Sequence, residues 1–211
     1  MKLLFENWRK YLLTEAAKAP EDLPPDVYVR IKKKGSGHIF YSDKNGNQIG
    51  ELQARRSEGA LVNGEIAIGT PTGLADDFEV GKCLGAKMII WSEALKGWGP
   101  MLYDIALEFV GDQGLMADRT SLSDDAYNVW THYMNSRSDV QKKQLDTMSN
   151  TLTPDDADNC NTGIARKFDD SFDGDEEMIS QALADSPVMK VYTKGAGTIE
   201  KLEAMGKLIR K

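Results

Sequence analysis

The first part of the chain carries short apolar segments with the period of a β-strand. A β-branched run covers 27–33, and 63–70 alternates apolar and polar positions. Between them, 38–42 and 48–55 flank Asn45-Gly46, a dipeptide that favours a tight hairpin turn. The pattern therefore predicts four strands, the middle two joined as a hairpin.

The next part changes to an alternation of strands and helices. Residues 86–91 form a nearly continuous apolar run, which is typical of a strand buried on both faces. Residues 101–110 have apolar positions at helical spacing after Pro100, so we expect an amphipathic helix there. A short strand at 115–119 precedes Ser123, which is a good N-cap for a second helix.

The apolar pattern weakens after residue 136. The acidic segment 149–177 is predicted to be mostly loop, followed by a strand at 187–192 and a final helix at 198–209. The predicted organisation is an N-terminal helix (1–15), a proline-rich linker (16–26), a main domain (27–148) and a C-terminal extension (149–211).

Composition narrows the classes of function. The 211 residues carry 26 Lys plus Arg and 33 Asp plus Glu, a net charge of −7. This balance argues against nucleic acid or an anionic membrane as the main partner, because both need a positive field. No apolar run reaches the length of a membrane span.

The candidate metal and thiol ligands are few. Two cysteines, Cys83 and Cys160, lie far apart outside any CxxC, which favours two reduced thiols in a reducing compartment. With two histidines, a His-based zinc site would need further carboxylate or thiolate ligands. The acidic stretch 169–177 fails as an EF-hand because Ser180 stands where the loop needs Glu. We predict no metal site.

The segment Lys96-Gly97-Trp98-Gly99-Pro100 carries the clearest candidate chemistry. It joins a predicted buried strand to a predicted helix. Glycines let backbone N–H groups turn toward one point, and a helix N-terminus adds free N–H groups and partial positive charge. Such a loop suits a phosphate or pyrophosphate, although the short motif alone also occurs as a simple turn.

The order of elements from 27 to 134, and most clearly from 86 to 134, resembles the GNAT superfamily of N-acetyltransferases. The resemblance implies a mixed, mostly antiparallel central sheet flanked by helices, an α/β (α+β) fold. It aligns 94–99 with the family's phosphate loop; Ala94 replaces the usual Arg or Gln, and Pro100 removes one amide donor. It implies acetyl-CoA as acyl donor, with the strand pairing with pantetheine. The implied cofactor-binding residues are Ile89, Ile90, Trp91, Lys96, Gly97, Trp98, Gly99 and Met101.

The resemblance also implies a base and an acid for direct acetyl transfer to an amine. Glu93 is the first candidate base and Asp118 the second. The family's acid is a Tyr four residues after an Ala, but here that position is Trp130, whose indole N–H has no useful acidity. Tyr133 and Tyr127 are the substitute candidates, with packing as their alternative role. Glu93 could equally be solvated, Asp118 could pair with Arg119 or cap a turn, and His38 is more typical of a packed histidine.

The N-terminal fifteen residues suggest a separate role. An amphipathic helix ends at Leu13-Thr14-Glu15, before the proline-rich linker. This resembles the capsid-targeting propeptide of internal head proteins in large tailed phages. It implies docking to a prohead scaffold or capsid, cleavage after Glu15, and location in the host cytoplasm or the virion interior. The alternative is a helix that packs on the domain or mediates oligomerisation.

The leading prediction is a GNAT-like acyltransferase that moves an acetyl group from acetyl-CoA to an amine, phage-encoded and packaged in the virion. The alternative is a non-catalytic GNAT-fold internal head or virion structural protein. A third reading is a coincidental match in which the glycine loop is only a turn. The acceptor amine stays open; the acidic composition favours a cationic one.

Overall fold

The computed structural model describes residues 17–34, 36–49, 62–72, 79–162 and 176–210. Within these ranges, eight strands and four α-helices form a mixed fold, which confirms the predicted α/β (α+β) class. The predicted helix and cleavage sequence at 1–15, and most of the predicted strand at 48–55, lie outside the described residues.

All eight strands belong to one mixed sheet. They are hydrogen-bonded in the order β6-β7-β5-β4-β3-β2-β1-β8. The pairs β1–β2, β2–β3, β5–β7 and β6–β7 are antiparallel, whereas β1–β8 and β4–β5 are parallel. The bounds are β1 (Tyr28–Lys34), β2 (Ser36–Ser42), β3 (Gly64–Gly69), β4 (Lys87–Ala94), β5 (Leu115–Met116), β6 (Val140–Gln144), β7 (Lys190–Lys194) and β8 (Leu208–Arg210); the helices are α1 (Gly99–Val110), α2 (Asp124–Ser136), α3 (Glu176–Asp185) and α4 (Thr198–Ala204).

The chain divides into two compact units. The first comprises Met1–Ala67, Trp91–Glu108 and Ala196–Lys211, and the second comprises Ile68–Ile90 and Phe109–Gly195. Strands β3 and β4 each continue from one unit into the other. The predicted boundary at residue 148 differs from this division. Strands from beyond residue 148 belong to the sheet, because β7 pairs with β5 and β6, and β8 pairs with β1.

The core of the first unit lies between its strands and α1. Buried apolar side chains of β1 and β2 include Val29, Ile31 and Ile39. The predicted hairpin turn follows β2: Gly46 has φ +80°, and the Asp43 carboxylate accepts hydrogen bonds from the turn's amides. That left-handed conformation is why glycine is favoured there.

The second unit contains an aromatic cluster and α2. Ser123 caps α2 as predicted, since its Oγ accepts a hydrogen bond from the Ala126 amide at 3.2 Å. The Trp130 ring stacks on Tyr192 at 5.1 Å and meets Tyr133 edge-on at 6.0 Å. All three rings are fully buried, so α2 is fixed to β7 by aromatic packing.

The two cysteines form a disulfide in the second unit, so the prediction of two reduced thiols is wrong. Cys83 and Cys160 are bonded across a sequence separation of 77 residues. The fold brings them together because Gly81 bridges to Cys160 in antiparallel fashion and the Cys83 amide donates to the Asn159 carbonyl. The cysteines therefore no longer argue for a reducing compartment.

Several predicted elements have other bounds. The strand predicted at 86–91 is buried on both faces only at Met88 and Ile89, since Ile90 and Trp91 are exposed. The strand predicted at 115–119 is two residues long, and that predicted at 187–192 starts at Lys190.

The C-terminal end also departs from its prediction. The predicted helix at 198–209 ends at Ala204, because Gly206 takes φ +64° and the chain then forms β8 beside β1. Strand β6 and helix α3 have no counterpart among the predicted elements. Strand β6 exposes most of its polar side chains, so its sequence gives little apolar signal.

Candidate functional site

The predicted phosphate loop is a tight turn in the first unit that leads from β4 into α1. The Trp98 amide donates to the Leu95 carbonyl at 3.0 Å, and Gly97 has φ +90°. A left-handed residue at this position favours glycine. Helix α1 then begins at Gly99, two residues before the predicted start at Met101.

Other segments of the first unit hold this turn in place. The Lys18 amide donates to the Gly97 carbonyl at 2.8 Å, and Tyr41 Oη donates to the Trp98 carbonyl at 2.8 Å. The Trp98 ring is buried and lies edge-on to Tyr41 at 5.5 Å. Burial raises the pKa of the Tyr41 hydroxyl well above its usual value, so it stays a hydrogen-bond donor. The turn is therefore anchored through its carbonyls and its indole.

The amides at the start of α1 are the groups that could contact an anion. The first N–H groups of a helix have no acceptor within the helix, and they carry its partial positive charge. Gly99 and Met101 supply such amides, whereas Pro100 has none. The Lys96 side chain, three residues before Gly99, is exposed. Two amides and one ammonium group therefore lie close together in the sequence of this turn and helix start.

The last residues of β4 alternate between two faces of the sheet. Ser92 Oγ and Tyr103 Oη of α1 are 2.9 Å apart, so Ser92 faces α1. A Cβ on Gly64 would lie 2.8 Å from Ala94 Cβ and 2.9 Å from Leu102 Cδ1, so Ala94 also faces α1. Because successive strand residues project to opposite faces, Trp91 and the candidate base Glu93 project away from α1. Both are exposed.

Strands β2 and β3 add a histidine–glutamate pair that the sequence did not predict. His38 Nε2 lies 2.6 Å from Glu65 Oε2, with about a third of each side chain exposed (33% and 28%). The register places Phe40 opposite Glu65 and His38 opposite Ala67. His38 also contacts the Phe40 ring at 4.9 Å, so the packing proposed for it is one part of its environment. The alternation of side chains along β2 predicts which face of the sheet His38 occupies. The proximity of Glu65 to His38 follows only from the β2–β3 register.

The second candidate base, Asp118, lies in the second unit and caps a turn. Its Oδ1 accepts hydrogen bonds from the Thr120 amide at 2.9 Å and from Thr120 Oγ1 at 2.7 Å. The neighbouring Arg119 is directed elsewhere. Its guanidinium is buried and donates to the carbonyls of Val188 and Cys160. Burial lowers the pKa of Arg119 to about 10. The turn-capping role named for Asp118 from the sequence is thus observed, and its role as a base stays a prediction.

The candidate acid, Tyr133, also lies in the second unit and is buried within the aromatic cluster. Only 1% of its surface is exposed, and the Arg137 guanidinium lies 5.3 Å from its ring centroid. This environment matches the packing role that the sequence left open. Proton donation by Tyr133 stays a prediction, and it would require access that the buried cluster restricts.

The part of the chain that the structure describes contains neither a metal-binding cluster nor a membrane-spanning helix. In those ranges, no group of three or more His, Cys, Asp or Glu side chains is arranged to hold a metal ion. Across the same residues, none of the helices is long and apolar enough to span a membrane.

Comparisons with protein-family models, with curated proteins and with solved structures find no match to this chain. Functional inference therefore rests on the geometry of the strand, turn and helix described above.

Proposed function

We propose that the protein is a GNAT-like acyltransferase that binds acetyl-CoA at β4, the 95–98 turn and the start of α1, and transfers the acetyl group to an amine. The observation that carries the proposal is the passage from β4 through a left-handed Gly97 into α1. Backbone amides of a helix N-terminus favour phosphate, and the CoA pyrophosphate carries several such oxygens.

The pairing of β4 gives further support. Strand β5 has two residues, so it pairs with the eight-residue β4 only at Lys87 and Met88. Beyond Met88, the edge of β4 on the β5 side has no partner among the described strands. Its N–H and C=O groups could therefore pair with amides of another molecule. Pantetheine contains two amides in an extended chain, which suits this edge next to Ile89, Ile90 and Trp91.

Within this proposal, Glu93 is the base. Glu93 is exposed at the end of β4, in the same unit as the 95–98 turn. Glu93 would take a proton from the amine, and the amine nitrogen would attack the thioester carbonyl to form the amide C–N bond. The C–S bond would then break, and the CoA thiolate would take up a proton. If Glu93 is the base, Glu93→Gln should lower kcat by about 10²- to 10⁴-fold.

The second candidate is a non-catalytic protein of the same fold in a phage head. The burial of Trp130 and Tyr133 favours it, because neither side chain of this α2 pair presents a proton to solvent. The proposed docking to a prohead scaffold depends on residues 1–15. Mass spectrometry of virions tests it: packaged protein beginning at Ala16 supports the proposal, and an intact Met1 terminus rejects cleavage.

Thermal unfolding with and without acetyl-CoA tests whether the protein binds acetyl-CoA. At 100 times its Kd, a ligand should stabilise the protein by about 2.7 kcal/mol. No shift at millimolar acetyl-CoA would reject the cofactor site. If a shift occurs without acetyl transfer to any of a panel of amines, the non-catalytic candidate is favoured.

A matched pair of glycine variants assigns the ligand to the turn. Gly97 and Gly206 both have positive φ, +90° and +64°, so alanine at either costs about 1 kcal/mol of backbone strain. Only Gly97→Ala should weaken acetyl-CoA binding, because Gly206 lies between α4 and β8. Equal loss of the ligand-induced shift in both variants would place the site elsewhere.

A further inference from the structure

We propose that the face of β2, β3 and β4 that points away from α1 binds an organic ammonium ion carrying more than one positive charge. This surface, called the β2–β4 face, consists of His38, Glu65, Trp91 and Glu93. The site shares Glu93, the proposed base, with the acyltransferase proposal, but binding of an ammonium ion there does not depend on acyl-CoA binding.

Contacts with α1 establish which side chains share this face. On β2, Tyr41 bonds to the Trp98 carbonyl beside α1, so His38 and Phe40 point the other way. Glu65 stands opposite Phe40 in the β2–β3 register and therefore lies on the same side.

The β3–β4 contacts bring the two carboxylates next to each other. The Leu95 amide donates to the Asn63 carbonyl at 3.0 Å, and a Cβ on Gly64 would lie 2.8 Å from Ala94 Cβ. These contacts run in opposite directions along the two strands, so Glu65 and Glu93 occupy neighbouring cross-strand positions. Residues so placed have Cβ atoms about 5 Å apart, and like charges there repel. A bound cation would relieve that repulsion.

The charges around the face leave this repulsion largely uncompensated. Glu65 is paired only with His38, and Glu93 has no ion-pair partner among the described residues. On that side of β1, Arg30 stands opposite Phe40 and donates to the Gly46 carbonyl, and Lys32 stands opposite His38 and lies over the Phe40 ring, 4.8 Å from its centroid. Both cations are thus engaged at the β1–β2 end of the face, and the β3–β4 end is acidic.

Trp91 supplies an aromatic surface at the acidic end. It is 57% exposed, the largest exposed fraction among the large apolar side chains of the described chain. An ammonium group over an indole face gains electrostatic attraction to the ring, and indole is the best of the aromatic rings for this contact. Two carboxylates and one indole suit a ligand with ammonium groups separated by a short aliphatic chain, since the methylenes can pack on the ring.

His38 acts as a positioning residue in this site. Its Nε2 lies 2.6 Å from Glu65 Oε2, so His38 restricts the orientation of that carboxylate. Glutamine at this position can still donate a hydrogen bond to Glu65, whereas alanine cannot.

The test uses spermidine, a linear triamine, titrated calorimetrically into the full chain without acetyl-CoA at fixed ionic strength. We expect saturable binding that falls about tenfold in Glu65→Gln and in Glu93→Gln, and falls similarly in Trp91→Ala. Glu200→Gln is the matched control, because it removes one exposed carboxylate from α4 in the same unit. His38→Gln should keep the affinity, and His38→Ala should lower it a few-fold. Each variant's melting temperature without ligand checks that it is folded.

Three outcomes would overturn the proposal. We take about 10 mM as the weakest dissociation constant of interest. The absence of binding at about that concentration of spermidine would therefore exclude the site. Equal loss of binding in Glu200→Gln would indicate general charge attraction. Binding of a lysine-containing peptide but not of spermidine would replace the small ligand by a polypeptide. Because acetyl-CoA is absent throughout, none of these results depends on the acyl-CoA proposal.

Discussion

The carboxylate of Glu108, near the end of α1, caps the start of α4 by accepting hydrogen bonds from the backbone amides of Thr198 and Ile199, each at 2.7 Å. The two residues Glu108 and Thr198 are 90 positions apart. Helix α4 has Gly197 before it and no side-chain cap of its own. A distant glutamate therefore does what a local Ser or Asp usually does.

Removal of this cap should destabilise the first unit. We expect Glu108→Ala to lower the free energy of unfolding by about 1–2 kcal/mol, because two helix N-terminal amides lose a charged acceptor. Urea denaturation measures the change, and Glu108→Gln, which keeps one acceptor oxygen, should lose about half as much. Hydrogen exchange at Thr198 and Ile199 should accelerate in Glu108→Ala; unchanged exchange there would contradict the capping role.

Glycine at position 64 is required by the close approach of β3 to β4 and α1. A Cβ there would lie 2.8 Å from Ala94 Cβ, 2.9 Å from Leu102 Cδ1 and 3.0 Å from the Glu93 carbonyl oxygen. We expect Gly64→Ala to cost about 1–3 kcal/mol by overpacking. Thermal or urea unfolding measures it.

Two controls separate crowding from a general effect of alanine. Gly99→Ala places a Cβ at an ordinary 3.7 Å from Ala94 Cβ, so its effect should stay within about 0.5 kcal/mol. Ala94→Gly removes one of the two clashing side-chain contacts and should recover part of the loss in a double variant. No recovery would indicate that Leu102 or the Glu93 carbonyl dominates the clash.

The features that the sequence predicted correctly are local ones. The Ser123 cap, the turn at Gly46 and the helix after Pro100 each depend on residues within a few positions of one another. Their backbone conformations are set by residues close in sequence, so the sequence alone suffices to predict them.

The features it missed depend on pairing across long separations. Strand β8 is three residues long and exists because β1 has a free edge for it. The Cys83–Cys160 bond and the His38–Glu65 pair likewise follow from strand register. Of the candidate site, the turn and Glu93 could be located from sequence, but their shared face with Glu65 could not.

The disulfide should stabilise the second unit strongly. Closing a loop of 77 residues restricts the unfolded chain, which corresponds to about 4 kcal/mol. We expect the double variant Cys83→Ser/Cys160→Ser to lose about that amount in urea denaturation. Wild type treated with a reductant should match it, and the double variant should not respond to the reductant. A wild-type protein whose stability is insensitive to reduction, with two titratable thiols, would contradict the bond.

The Arg137–Asp139 pair gives a prediction of pH dependence. Hydrogen bonds from the Arg137 guanidinium, with a smaller contribution from its charge, lower the pKa of Asp139 from 3.8 to about 2. A carboxyl whose folded pKa is depressed stabilises the fold above its unfolded pKa and loses that contribution as pH falls through the folded value. The stabilisation should be complete above about pH 4 and lost near pH 2. Because about half of the Asp139 side chain is exposed (52%), it should not exceed about 1 kcal/mol.

A double-mutant cycle and an NMR titration check this. The stability difference between wild type and Asp139→Asn should shrink between about pH 4 and pH 2. Arg137→Gln should return the pKa of Asp139 toward 3.8 in a carboxyl-detected titration, and the double variant should lose less than the sum of the two single variants. If Asp139 still titrates near pH 2 in Arg137→Gln, another cation holds it, and Lys194, whose charge also lowers this pKa, is the residue to change next.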